Sequence, residues 1–203
     1  THEALHEEAL WRLDGGQWCW DPPLHAPAIT PPPAQATGAP TFGVLARGLR
    51  INEASLRAWA RVLLATPGAR LRFIGELAHD WPQRAQVLRA LDAHGVAAAR
   101  VTFDPPCAYE DLLRWCQRID LVLDSFPGNG GLSLLDPLWM GVPVLTLSGA
   151  WAGARQGHSL LAALGLQEWV ADTPEAFVAT AAALAQNPAA LARHRASLRQ
   201  RLL

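Results

Sequence analysis

Apolar and polar positions change their spacing repeatedly along the chain, and each change marks an element. Residues 3–14 place Ala4, Leu5, Ala9, Leu10 and Leu13 roughly on one side of a helix, which Gly15-Gly16 ends. From Thr41 onward, short apolar runs alternate with helical segments. The runs at 41–45, 70–75, 100–103, 120–124, 142–147 and 168–171 predict six strands. Helices are expected over 52–64, 82–94, 109–118, 131–140 and 152–164, and two more over 174–185 and 188–202 close the chain. Asn52 has the side chain of an N-cap, with Ser55 in the first turn. Proline near the start and Gly95 past the end bound the 82–94 helix. The 120–124 run is apolar at its centre, as a strand buried on both faces should be. Strands alternating with helices predict an α/β fold, a doubly wound parallel sheet of the Rossmann-like kind. Ligands on such sheets bind outside the carboxyl ends of the strands, so the loops after 41–45 and after 120–124 become the candidate site.

Before these elements, residues 17–40 carry Asp21-Pro22-Pro23, Thr30-Pro31-Pro32-Pro33 and Gly38-Ala39-Pro40. Such proline density favours extended backbone over helix and predicts an ordered connector. The chain is thus expected to divide into residues 1–16, the end of a preceding domain that is largely absent, the connector at 17–40, and a ligand-binding domain at 41–203. The opening Thr1-His2-Glu3, without methionine, reads as the start of a piece of something longer.

Composition narrows the function classes. Half of the 203 residues are hydrophobic and 17% are charged, enough for a sizeable core. A net charge of −1 offers no basic excess for nucleic acid. Lysine is absent and all 17 basic residues are arginine, so any phosphate-pairing cation must be an arginine. Cys19, Cys107 and Cys116 fit neither a disulfide framework nor a zinc site, and a reduced, cytoplasmic setting is the default. No apolar stretch is long enough to span a bilayer and no signal peptide is visible.

The candidate chemistry lies in Asp124-Ser125-Phe126-Pro127-Gly128-Asn129-Gly130-Gly131-Leu132-Ser133-Leu134-Leu135-Asp136, a strand end and a glycine-rich loop opening a helix. Gly130 and Gly131 let a ligand approach bare backbone, and free N–H groups at a helix start suit a phosphate or diphosphate. Ser133 and Asp136, three apart, share a helix face, where the hydroxyl can hold phosphate and the carboxylate a ribose. The loop therefore reads as the donor-nucleotide site of a sugar-transferring enzyme. Asp136 also suits a first-turn acid that needs no ligand. No GxGxxG follows the first strand and no P-loop is present. Asp124 is expected to cap loop N–H groups instead of acting as a base. His2 and His6 have a metal-compatible spacing, but Glu3 and Glu7 beside them favour a solvated face. His158 falls near the expected cleft, either as a sugar contact or as a packing residue. Cys107 reads as a buried structural cysteine, and Arg193-His194-Arg195 as a solvated basic helix end.

Several segments together resemble the C-terminal, donor-binding half of the SPINDLY / O-linked N-acetylglucosamine transferase family, inverting glycosyltransferases of the two-Rossmann-domain (GT-B) type. Asp124 through Leu147 is similar to the family's D-S-F-P-Y-N-G-G-T-T-T-C-D-A-L-W-M-G-V-P-V-V-T-L. Thr41-Phe42-Gly43-Val44 through Ile51-Asn52 is similar to T-F-G-S-F-N-N-L-A-K-I-N, Trp18-Cys19-Trp20-Asp21-Pro22-Pro23 to W-C-Y-Q-P-P, and Ala154-Arg155 with Ser159-Leu160-Leu161 to S-R-V-G-A-S-L-L. The resemblance implies a nucleotide-sugar donor, a UDP-sugar such as UDP-GlcNAc, and a protein hydroxyl as acceptor. It also implies no metal or other cofactor, while the absence of a nucleic-acid or membrane partner is expected from the charge and the lack of a long apolar stretch. It further implies a missing N-terminal catalytic half, with tetratricopeptide-type repeats as a possible further part. By position, Arg50 replaces the family's diphosphate-pairing lysine, Gly130, Gly131, Leu132 and Ser133 form the phosphate turn, and Asp136 holds the ribose. No catalytic base is assigned. The departures are Gly128 for tyrosine, Leu132 for a hydroxyl residue and Leu112 for a histidine near the base. They leave two alternatives open: a binding or scaffold module with a decayed donor site, and a transferase for another donor such as a CMP-linked acidic sugar.

Overall fold

The computed structural model describes residues 7–11, 13 and 17–203. The His2–His6 pair and half of the helix expected at 3–14 lie outside them. Residues 7–11 and 13, which are described, carry no helix.

The elements follow in the order α1 (Pro33–Thr37), β1 (Thr41–Val44), α2 (Glu53–Ala65), β2 (Arg70–Ile74), α3 (Trp81–Ala93), β3 (Val101–Asp104), α4 (Tyr109–Cys116), β4 (Leu121–Leu123), α5 (Leu135–Trp139), β5 (Val144–Leu147), α6 (Gln156–Ala163), β6 (Val170–Ala171), α7 (Pro174–Ala185) and α8 (Pro188–Arg201). Six strands form one sheet in the order β3-β2-β1-β4-β5-β6, and every pair is parallel. The order steps outward from β1 in both directions, so the crevice between β1 and β4 is the switch point where such sheets take ligands.

Local chemistry places the elements. Asn52 accepts a hydrogen bond from the Ser55 amide and starts α2 as expected, and Asp80 and Thr173 cap α3 and α7 in the same way. The buried stripe of α2, including Leu56, Trp59, Ala60 and Leu63, packs on the Leu71/Phe73 face of the sheet, where Trp59 meets Phe73 edge-on at 5.8 Å. On the other face, Trp115 and Ile119 close over Gly43 of β1. The core is continuous across both faces.

Several elements differ from the sequence expectation. The helix expected over 152–164 opens with a separate 3-10 turn at Ala152–Ala154 before α6, and a 3-10 turn at Gln167–Trp169 shortens the strand expected over 168–171 to β6. The connector is not extended throughout: Pro33–Thr37 makes a short helix, because proline in the first turn forfeits no hydrogen bond. Asp120 ties it down, accepting from the amides of Ala34 (3.0 Å) and Thr41 (2.8 Å). The helix expected over 131–140 is split into a 3-10 turn at Leu132–Leu134 and α5. Pro137 lacks an N–H, and starting α5 at Leu135 puts it where that donor is not needed.

Arg195 overturns the expected solvated helix end. It is only 2% exposed. Its guanidinium donates to the carbonyls of Thr30 (2.8 Å), Ile119 (2.8 Å) and Cys116 (3.2 Å), joining the connector, α4 and α8. Burial holds its pKa below the ordinary arginine value. Arg195→Met keeps the volume but strips three carbonyls of their donor. A loss of about 2 kcal/mol in unfolding free energy is expected, the lost bonds outweighing relief from burying a charge. Urea denaturation checks it.

Candidate functional site

The loop between β4 and the 3-10 turn is organised by Asp124 at the carboxyl end of β4. This buried carboxylate accepts from the amides of Ser125 and Gly130 and from the Thr146 hydroxyl, each at 2.8 Å. It caps the loop, as the sequence suggests. Burial pushes its pKa up to about 6, against the opposing effect of these donors and of the nearby Arg50 charge. Thr146 stands on β5, so Asp124 also locks the loop to the neighbouring strand. Gly157 of α6 closes over the same pair. A Cβ there would come within 2.5 Å of Thr146 Oγ1 and 2.9 Å of Asp124 Oδ2.

Asn129 is the second fixed point. Its amide donates to Gly153 O, and Nδ2 donates to Ser125 O (3.0 Å) and Leu147 O (3.2 Å). Its Oδ1 is buried with no partner among the described residues. Its carbonyl accepts from Arg50 Nη1 at 2.8 Å. The structure thus brings Arg50, on the turn Gly48–Arg50 after β1, onto the glycine loop after β4. The aliphatic part of Arg50 lies over Gly128, where an added Cβ would sit 3.8 Å from Cγ and Cδ. One N–H is occupied, and an arginine fork has five in all.

The remaining candidates divide. Gly130 gives its N–H to Asp124 and is not free to meet a ligand. Gly131, Leu132 and Ser133 have amides with no acceptor among the described residues, because they open the 3-10 turn. Gly131 is held tightly. A Cβ would meet the Trp18 ring at 2.5 Å and Gln156 Oε1 at 3.1 Å, so the connector and α6 both press on it. Leu132 is 47% exposed. Asp136 lies in the first turn of α5 and accepts from the Tyr109 hydroxyl of α4 at 2.7 Å. Burial raises the pKa of both groups. A carboxylate has several acceptor positions, so this bond leaves room for another donor.

Beside the loop, past the end of β5, Ser148 Oγ lies 2.8 Å from His158 Nδ1, and Arg155 Nη1 reaches Ser148 Oγ at 3.3 Å. Burial and the Arg155 charge hold the His158 pKa below the usual imidazole value. Cys107 is exposed and not a buried structural residue. It borders a hollow of about 200 Å3 with Asp104 and Trp115. Among the described residues, no three His, Cys, Asp or Glu side chains cluster as metal ligands would, and no helix is long and apolar enough to cross a membrane.

Parallel strands in this order, with a glycine loop after β4 and a cation after β1, make one α/β domain of a GT-B glycosyltransferase. The chain belongs to glycosyl transferase family 41, whose model matches residues 38–202. It is 32% identical over 98% of its length to a probable UDP-N-acetylglucosamine–peptide N-acetylglucosaminyltransferase SPINDLY of Hordeum vulgare, and 32% identical over 95% to that of Arabidopsis thaliana. The chain spans 21% of each of those relatives. A mutant O-GlcNAc transferase of Thermobaculum terrenum superposes with a TM-score of 0.84 at 40% identity, over 90% of this chain and 34% of that one. A sucrose-phosphate synthase of Thermosynechococcus elongatus shares the fold at a TM-score of 0.60 and 15% identity.

Proposed function

We propose that this chain binds the nucleotide-sugar donor, a UDP-N-acetylglucosamine-like molecule, for inverting transfer to a protein hydroxyl without a metal ion. One observation carries the reading: Arg50 is fixed on a loop whose Gly131, Leu132 and Ser133 amides have no acceptor among the described residues. When an acceptor oxygen attacks the anomeric carbon, the bond to the diphosphate breaks and negative charge gathers on its oxygens. Fixed N–H donors and a guanidinium stabilise that charge without reorganising, which lowers the barrier to transfer. The names of the plant relatives support both the donor and a peptide acceptor, and that of the Thermobaculum relative supports O-GlcNAc transfer.

Asp136 is assigned the ribose hydroxyls. Asp136→Ala is expected to weaken a nucleoside diphosphate roughly tenfold while leaving inorganic diphosphate unaffected, because only the former has a ribose to hold. Calorimetric titration of both ligands checks it.

The reading is tested by heat denaturation with UDP, GDP and CMP. A ligand that binds only the folded state at 100 times its Kd adds about 2.7 kcal/mol of stability. UDP is expected to give the largest rise in Tm. A larger rise with CMP would point to a CMP-linked donor. Protection by none of the three would favour a scaffold, the alternative suggested by the exposed Leu132 and by Tyr109 occupying Asp136.

A further inference from the structure

We propose that the protein carries a second anion site, for a small phosphorylated molecule, at the opposite end of the sheet from the glycine loop. A cavity of about 640 Å3 opens there, lined among others by Thr41, Arg70, Arg72, Thr102, Gln117 and Arg118. Its floor is one face of the sheet edge: Thr41 stands opposite Arg70, and Arg72 opposite Thr102, in the registers of β1–β2 and β2–β3. Side chains alternate along strands, so Arg70 and Arg72 share this face while Leu71 and Phe73 turn into the core. On this side Trp115 and Ile119 close over β1 at Gly43. One wall is Pro31 and Pro33, at the entry of α1.

The charges are unbalanced. No acidic side chain lines the cavity. Arg72 is committed to Asp104 by two hydrogen bonds, of 2.6 and 3.0 Å. Arg70 and Arg118 form no ion pair among the described residues. Arg118 also borders the hollow beside Asp104 and, with Arg72, lowers the pKa of that carboxyl, while Arg70 has no acidic partner among the described residues. Two guanidinium groups on one cavity still attract an anion, and their planar forks match phosphate oxygens. The volume lies within the ~300–1,000 Å3 typical of small-ligand sites, which favours a phosphorylated metabolite over a polymer. Strands of four and five residues separate this end from the turn bearing Arg50, roughly 15 Å at about 3.3 Å per residue. The site therefore binds its anion without Arg50 and does not depend on the donor reading.

The test titrates inorganic diphosphate into Arg50→Ala, which removes the cation of the glycine loop, and into Arg50→Ala carrying Arg70→Ala and Arg118→Ala as well. Arg50→Ala is expected to retain diphosphate binding, and the triple variant to bind at least roughly tenfold more weakly. Equal binding by the two variants, or none in Arg50→Ala, overturns the proposal. NMR of the unaltered protein gives a reading independent of variant folding. Diphosphate should shift the amides of Thr41, Gly68 and Thr102, and their silence while the Ser133 amide moves would also overturn it.

Discussion

Asp124→Ala is expected to lower the unfolding free energy by about 3–5 kcal/mol, a large share of a domain's stability. The carboxylate is buried and takes three donors, from Ser125, Gly130 and Thr146. Alanine leaves all three without an acceptor, at ~1–3 kcal/mol each, partly offset because a buried charge also disappears. The effect should reach the site. Asp124 holds both Gly130 and β5, so the glycine loop loosens and nucleotide affinity falls with stability. Denaturant unfolding with and without nucleotide measures both.

The same residue gives a pH signature. Its folded pKa of about 6 lies above its unfolded value of ~3.9. Between these values the folded state holds a proton that the unfolded state has released. Stability from this group is therefore greatest below pH ~4 and is lost as pH rises to about 6. Asp124→Asn cannot titrate, so the difference between the two stability curves should fall across that window and flatten above it. A flat difference would show that Asp124 ionises normally.

Arg50→Ala is expected to weaken nucleoside diphosphate binding by about 2 kcal/mol, roughly thirtyfold in Kd, with little change in stability. Arg50 gives one N–H to Asn129 O and is only half-buried, so its removal leaves one carbonyl without that donor. The ligand loses its positive partner. Arg50→Lys keeps the charge but loses the fork, and should recover part of the affinity. Titration of UDP into all three proteins checks the order. Equal affinities would remove Arg50 from the site.

Most of the fold was legible because local and global signals agree. The Asn52 cap, the Gly95 stop and the apolar run at β4 each name their element without distant information. Most strands were read one or two residues long, because polar end residues such as Asp120 and Asp124 flank the ladder without joining it, and β3 was read one residue early. The split helix after Gly131 could have been read from Pro137, which prefers a first turn. Arg195 also left a signal: Leu191, Arg195 and Leu198 share one face of α8, so the arginine sits in an apolar stripe. The loop's glycines and Arg50 after β1 were visible. The Tyr109–Asp136 bond and the pressure of Trp18 on Gly131 were not, because they join positions far apart in sequence and depend on how helices and connector pack.

The most direct test of the donor grip is a two-dimensional amide NMR titration of the protein with UDP-N-acetylglucosamine. The Gly131, Leu132 and Ser133 amides and the Arg50 side chain should shift together at one Kd, while Gly130, already bonded to Asp124, moves less. Binding that leaves those three amides unmoved, or no binding at all, would contradict the claim that this turn and Arg50 hold the diphosphate.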